Sequence, residues 1–231
     1  MLLVAPISLD LNQVLSGNPI QFSNSISLIL FLSLLSIAPF FLISVTSFLR
    51  ITIVLGMLRT AMGTQQSPPN MVIIALSLFL TIFIMSPVWK KIDNNAIQPY
   101  NKGQITQDVA LKNALDPLRD FMFKQVSDKD LSLFAQFAEI NIKSLKDKNN
   151  VPTYVLIPAF MISELKKAFM ISFVLFLPFI LIDLLVSNIL LSLGMMMLSP
   201  VMISLPFKIL FFVLVDGFNI IIKGLVESYT R

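Results

Sequence analysis

Residues Leu177 to Pro200 read LPFILIDLLVSNILLSLGMMMLSP. Asp183 is the one charge in this stretch, and from Leu184 to Phe207 no residue is charged. A bilayer core takes roughly 20 apolar residues of helix, so the run is long enough to cross one. Traced backwards, the helix passes Pro178 and begins near Pro158 or Ala159. Traced forwards, it ends near Leu193. Gly194 opens a break that lasts to Pro200, and a second apolar helix follows from about Ser204 to Val226. The expectation is an antiparallel hairpin with GMMMLSP at its tip.

Two further blocks lack charge, Leu11 to Leu49 and Thr60 to Trp89. The chain of 231 residues is 56% hydrophobic, against about 45–50% for a soluble domain, and its mean hydropathy is +0.84. A helix is expected from about Ile26 to Leu58, interrupted by Pro39 and Arg50, with a kink at Pro39. GTQQSPPN, Gly63 to Asn70, is a break, and Pro69 suits a helix's first turn. The next helix is expected from Asn70 to about Val88, ending near Pro87. Between Lys90 and Lys148 lie ten Lys/Arg and eight Asp/Glu. Near-helical spacing of Val109, Leu111, Leu115, Leu118, Phe121 and Met122, and then of Leu131, Phe134, Ala138 and Ile142, predicts two or three short amphipathic helices. KDKNN, Lys146 to Asn150, reads as a surface loop. The fold class is thus an all-α integral membrane protein. Two long kinked helical hairpins, 1–89 and 151–231, are separated by a polar segment, 90–150, in one domain spanning 1–231.

The chain has no Cys and no His. That excludes disulfides, thiol nucleophiles, histidine bases and nearly all zinc sites. No cofactor, metal site or catalytic residue is expected, and the protein is read as no enzyme. The net charge of +4 is spread through a mixed, solvated segment, which is not a nucleic-acid surface. Met1 to Leu9 is apolar but lacks the positive n-region of a signal peptide. The stretch from Ile26 is the candidate insertion signal. Positive-inside reasoning does not orient the chain: Arg50 and Arg59 favour a cytoplasmic first turn, which would put the lysine-rich middle outside.

Arg50, Arg59, Asp183, Lys208 and Asp216 sit within or beside apolar blocks. Charge in hydrocarbon is costly, so such residues face protein or water and pair with each other. Arg59 and Lys208 are also open to a plain snorkelling reading. Asp183 and Asp216 are too short to snorkel and are expected against a partner helix or in a wet cavity. A proton- or ion-coupled transporter that uses these two carboxylates, with Pro39, Pro178 and Pro206 at helix breaks, is the second functional reading. An intramembrane aspartyl dyad is a third. Met195, Met196 and Met197 follow a glycine at a hairpin tip. They read either as an apolar interface loop or, if repeated around a ring, as a deformable constriction that excludes water.

Five segments, in order, resemble the FliP family of flagellar type III export-gate proteins, called SctR in injectisomes. They are TSFLRITIVLGMLRTAMGTQQSPPN (Thr46 to Asn70), LFLTIFIMSP (Leu78 to Pro87), IPAFMISELKKAF (Ile157 to Phe169), the opening stretch Leu177 to Pro200, and LPFKILFFVLVDGF (Leu205 to Phe218). Arg50 and LFLTIFIMSP look more like the flagellar branch. The resemblance implies a homo-oligomer of five copies in the bacterial inner membrane, in the flagellar basal body. It implies FliQ-like and FliR-like subunits, FlhB-like and FlhA-like export proteins, and unfolded secreted proteins as cargo. In such assemblies many nominal spans are raised out of the bilayer. It also implies that Met195, Met196 and Met197 form a pore gasket. Glu164 of SELK is implied in subunit contacts, through Lys166 or a neighbour's Lys208. Phe123 and Phe134 match aromatics that stabilise the oligomer. Many relatives have a longer N-terminus with a cleavable signal, from which this chain departs.

Overall fold

Gly, Pro and short polar runs cut the apolar sequence into helices. The structure, a computed structural model, describes residues 19–64, 66–140, 151–195 and 197–230, and these are helix and connecting turn throughout. The helices are α1 (Pro19–Val45), α2 (Phe48–Ala61), α3 (Asn70–Ile92), α4 (Gln98–Asn101), α5 (Gln107–Gln125), α6 (Asp128–Phe137), α7 (Thr153–Ser192), α8 (Pro200–Leu214) and α9 (Gly217–Thr230). A π-helical turn, Asp93–Ile97, joins α3 to α4. The chain divides into two units between Leu42 and Ile43. Residues 19–42 of the first unit are helical.

The all-helical class is as expected, but several helix boundaries are not. The first apolar helix runs through Pro39 to Val45, and the chain breaks at Thr46–Ser47 instead. The Thr46 hydroxyl there accepts the amide of Phe48 at 3.3 Å. Arg50 does not interrupt a helix; it lies inside α2. Helix α3 passes Pro87 and, through the π-helical turn, makes a 32-residue run to Asn101. A proline deletes only one helix hydrogen bond, here to the Phe83 carbonyl, and its ring needs room. Phe83 and Pro87 both line an open cleft, which supplies that room. Lys90 and Lys91 in the last turn of α3 suit a helix C-terminus. Helix α7 starts at Thr153, before Pro158, because Pro152 already serves as its N-cap.

The second arm of the expected C-terminal hairpin is two helices, bent by 63°. Asp216 sits at the bend with φ of 52°, outside the helical range. Gly217 follows, and a Cβ there would meet the Phe212 ring at 2.2 Å. The Phe212 ring instead closes over the glycine, edge-on to Phe218 with centroids 4.8 Å apart. The loop reading of Lys146 to Asn150 lies outside the described residues, as does Ile142.

Two cores hold the second unit. One joins Ile51, Val54, Leu55 and Leu58 of α2 to Ile73 of α3, Ala168 and Phe179 of α7, Phe212 of α8, and Ile221 and Leu225 of α9. The other joins Val45, Met122 of α5, Leu131 and Ala135 of α6, and Val155, Leu156, Ala159 and Phe160 of α7. Helix α7 therefore belongs to both. Its 40 residues rise about 60 Å, roughly twice a bilayer's hydrocarbon thickness. Its first half is built into protein. Its second half exposes Phe173, Val174, Leu181, Leu185 and Ile189. Asn70–Asn101 and Thr153–Ser192 are each long and apolar enough to cross a membrane. Two bent pairs, Leu35–Val45 with Phe48–Ala61 and Pro200–Leu214 with Gly217–Tyr229, pass the same test if each is counted as one span.

Candidate functional site

Three polar clusters tie these helices together, and each centres on a carboxylate. In the first, Arg50 of α2 is 1% exposed and Glu164 of α7 is 0% exposed. The guanidinium grips the carboxylate with two hydrogen bonds, Nε to Oε2 at 3.0 Å and Nη2 to Oε1. Nη1 donates to the Ser228 hydroxyl at 2.8 Å, and Nη2 to Gln125 Oε1 at 3.1 Å. Tyr229 of α9 donates to Glu164 at 2.5 Å and lies under the guanidinium, 3.8 Å from Cζ to ring centre. Lys167 donates to the carbonyl of Gln125 at 2.6 Å. Four helices, α2, α5, α7 and α9, thus meet at one bidentate ion pair. Fork-to-fork pairing fixes direction as well as distance, so the pair sets the helices' mutual register.

The second cluster holds α6 to α7. Asp130 accepts hydrogen bonds from Lys166, from Ser127 Oγ at 2.7 Å and from Ser163 Oγ at 2.8 Å. Ser127 caps α6 by accepting the Asp130 amide at 3.2 Å, and its own amide donates to Ser163 at 3.0 Å. Burial opposes ionisation of Asp130. The bonds from Lys166, Ser127 and Ser163, with the Lys166 charge, outweigh it and hold the carboxyl below its usual range.

The third cluster zips α7 to α8. Asp183 accepts from Lys208 at 2.6 Å and from Ser204 at 2.5 Å. Ser204 and Lys208 lie four residues apart, on one face of α8. Lys208 also reaches the Ala61 carbonyl at the end of α2, at 3.4 Å. Asp183 lies 11 residues before Gly194, about 16 Å of helix below the tip. There α7 ends in a glycine motif. Gly194, with φ of 71°, donates to the Leu191 carbonyl at 3.1 Å, and Met195 donates to that of Leu190 at 2.9 Å. Met195 is half-exposed and Met197 is 101% exposed. Met196 lies outside the described residues.

Most of the charged residues singled out in the sequence find partners within the chain. Glu164 pairs with Arg50, Lys166 with Asp130 and Lys208 with Asp183. Arg59 binds the break that follows α2, donating to the Pro68 carbonyl at 3.2 Å and to Asn70 Oδ1 at 2.6 Å. Asp216 is exposed on this chain and accepts from Asn219 at 3.0 Å, so the two aspartates have separate partners. Phe123 and Phe134 pack, half-buried, against the second core. The sequence reading passed over Gln125, Ser228, Tyr229 and Asp130. Ser127-x-x-Asp130 carries the capping-box spacing and signals the last of these; nothing local signals the other three.

A sequence model of the FliP family matches residues 31–225. The chain belongs to the FliP family. It is 48% identical over 215 residues to the flagellar biosynthetic protein FliP of Bacillus subtilis (strain 168), covering 93% of this chain and 96% of that one. To the protein of the same name in Aquifex aeolicus (strain VF5) it is 46% identical over 226 residues, 98% of this chain and 92% of the other. To that of Caulobacter vibrioides (strain ATCC 19089 / CIP 103742 / CB 15) it is 48% identical over 206 residues, 89% and 77% of the two chains. The Arg50–Glu164 pair, the Asp130 and Asp183 clusters and the methionine tip fall inside the matched FliP segment, and Ser228 and Tyr229 lie just beyond it. The family is one of structural export-gate proteins rather than enzymes.

Proposed function

We propose that this chain is a pore-forming subunit of the flagellar type III export gate in the bacterial inner membrane, at the basal body. Several copies, five by family resemblance, assemble with FliQ-like and FliR-like subunits and work beside FlhB-like and FlhA-like proteins. Unfolded flagellar proteins pass along their common axis, and the loops at Met195, Met196 and Met197 close it at rest. Residues 1–231 act as one export-gate domain without a cofactor.

The observation that carries this reading is family membership over 31–225. Three physical features support it. The hairpin of α7 and α8 exposes apolar side chains over its whole upper half, a surface that in a working protein is covered by lipid or by neighbouring subunits. At its end Met197 stands fully exposed and Met195 half-exposed. Asp183 is tied to Lys208 and Ser204, an arrangement suited to bracing the hairpin. Native mass spectrometry of the detergent-extracted protein, alone and with its FliQ and FliR counterparts, tests the proposal. A discrete homo-oligomer that takes up the other two is expected. A monomer under both conditions leaves the gate without a pore.

A further inference from the structure

The hairpin of α7 and α8 has a weak point in each arm, and the two lie at one level. In α7, Pro178 has no N–H to donate to the Val174 carbonyl, so the helix runs on with one bond missing. In the other arm α8 ends at Leu214, and the chain bends by 63° into α9. The bend is made by Asp216, at φ of 52°, and by Gly217 under the Phe212 ring. Phe179 places the two side by side. Its ring lies 6.5 Å from that of Phe211 and 6.3 Å from that of Phe212, both in the last turn of α8.

Below this level the helices are held. Helix α7 enters both cores. Helix α9 buries Ile221 and Leu225 and ends where Arg50 binds Ser228 and stacks on Tyr229. Above it the two arms are tied to each other through Asp183, which binds Ser204 and Lys208. Those two residues flank Pro206, so one carboxylate splints α8 across the bond that Pro206 cannot make. The upper hairpin meets the end of α2 more lightly. Lys208 reaches the Ala61 carbonyl at 3.4 Å, long for such a bond. Leu205 lies over Gly63, its Cδ1 3.8 Å from where a Cβ would stand. Elsewhere Leu181, Leu185, Ile189, Val201 and Leu210 are exposed.

We infer that the upper hairpin is a lever that swings as one body about a hinge at Pro178 and Asp216–Gly217, with the contact of Lys208 and Leu205 on the end of α2 as its latch. The Asp183 ties move with the lever and need not break. Only the long bond to Ala61 and the contact at Gly63 must open. Gly194 lies 16 residues beyond Pro178, about 24 Å of helix, so a rotation of about 10° carries the tip about 4 Å. That displacement parts side chains that meet across an axis. A tip that flexed alone would need loose chain beneath it, but the arms are helical up to Ser192 and from Pro200. What the swing accomplishes rests on the gate reading proposed above.

The chain has no cysteine, so introduced thiols react alone. Gly63→Cys with Leu205→Cys puts one thiol on the body and one on the lever, at the contact that must open. The variant replaces the native chain in a flagellated cell, and a short, reducible bis-methanethiosulfonate bridges the pair in the assembled gate. Export of flagellar subunits is expected to stop on bridging and to resume on reduction, while the single variants are insensitive to the reagent. Export that continues through a fully bridged gate overturns the lever. If the double variant does not assemble, spin labels at Leu198→Cys and Tyr154→Cys, both exposed positions, read the same motion. A labelled copy is diluted into unlabelled chain, and the distance from tip to body is measured in the gate at rest and with a subunit arrested by a fused folded domain. A shift of several ångströms is expected, and an unchanged distance overturns the lever. Failure of the gate reading shows separately, as a monomer in native mass spectrometry.

Discussion

At Glu164 a carboxylate with no access to water accepts two hydrogen bonds from Arg50 and one from Tyr229. Removing one partner of a buried ion pair leaves the other charge uncompensated, which costs about 3–5 kcal/mol. Glu164→Gln is therefore expected to lower the thermal unfolding temperature of the detergent-solubilised protein sharply. Adding Arg50→Met should lower it by less than the sum of the single effects, because the two residues act as one unit. Additive losses would mean that the pair does not hold the four helices. Arg50 was visible in the sequence, because a charge beside apolar blocks demands a partner, and Glu164 was singled out only by the family resemblance. Which partner it takes was not visible. They are separated by 114 positions, and the nearer lysine, Lys166, turns away to Asp130 of α6. Pairing at that separation is decided by how α2 packs on α7, and no local spacing encodes it.

Elements show the same division between what is local and what is not. The apolar blocks, the Gly63 to Asn70 break and the glycine at the hairpin tip were legible, since each depends on neighbours in sequence. Helix ends at Pro87 and Pro158 were misread, because a proline breaks a helix only where the surroundings cannot accommodate its ring and the freed carbonyl. The bend at Asp216 was missed for the complementary reason: Gly217 is required by the Phe212 ring that lies over it. Gly217→Ala should force that ring aside and lower the unfolding temperature by an amount equivalent to about 1–3 kcal/mol, the usual penalty of overpacking. An unchanged unfolding temperature would show that Phe212 moves freely and does not shape the bend. The docking of α6 carries a pH signature. The Asp130 carboxyl is held below its usual range in the folded chain, so its contribution is complete above the unfolded value, about 4. It is lost as pH falls through the lower folded value. Unfolding temperatures of the native protein and of Asp130→Asn should differ at neutral pH, and the gap should close as the pH is taken below about 4. A gap that persists or widens in acid would contradict the ionised, hydrogen-bonded carboxylate.

For the whole molecule, the positions of the methionines separate folding from gating. Met197 is completely exposed and Met195 half-exposed, and substitutions at such surface positions usually change stability by no more than about 0.5 kcal/mol. The tip is shaped by Gly194 and the carbonyls of Leu190 and Leu191, through backbone bonds that no side-chain truncation removes. The Asp183–Lys208 pair holds the two arms together below it. Replacing Met195, Met196 and Met197 with alanine should therefore leave the chain's unfolding temperature and its assembly with FliQ-like and FliR-like subunits unchanged. Ion conductance of the assembled gate in planar bilayers should nevertheless rise. Three long, flexible, apolar side chains per copy can close a ring against water by dewetting, and three methyl groups leave a wider opening. Unchanged conductance in a correctly assembled complex would remove the gasket assignment. A complex that fails to assemble would instead make the tip a contact surface between copies, for which apolar bulk rather than pore closure is the selected property.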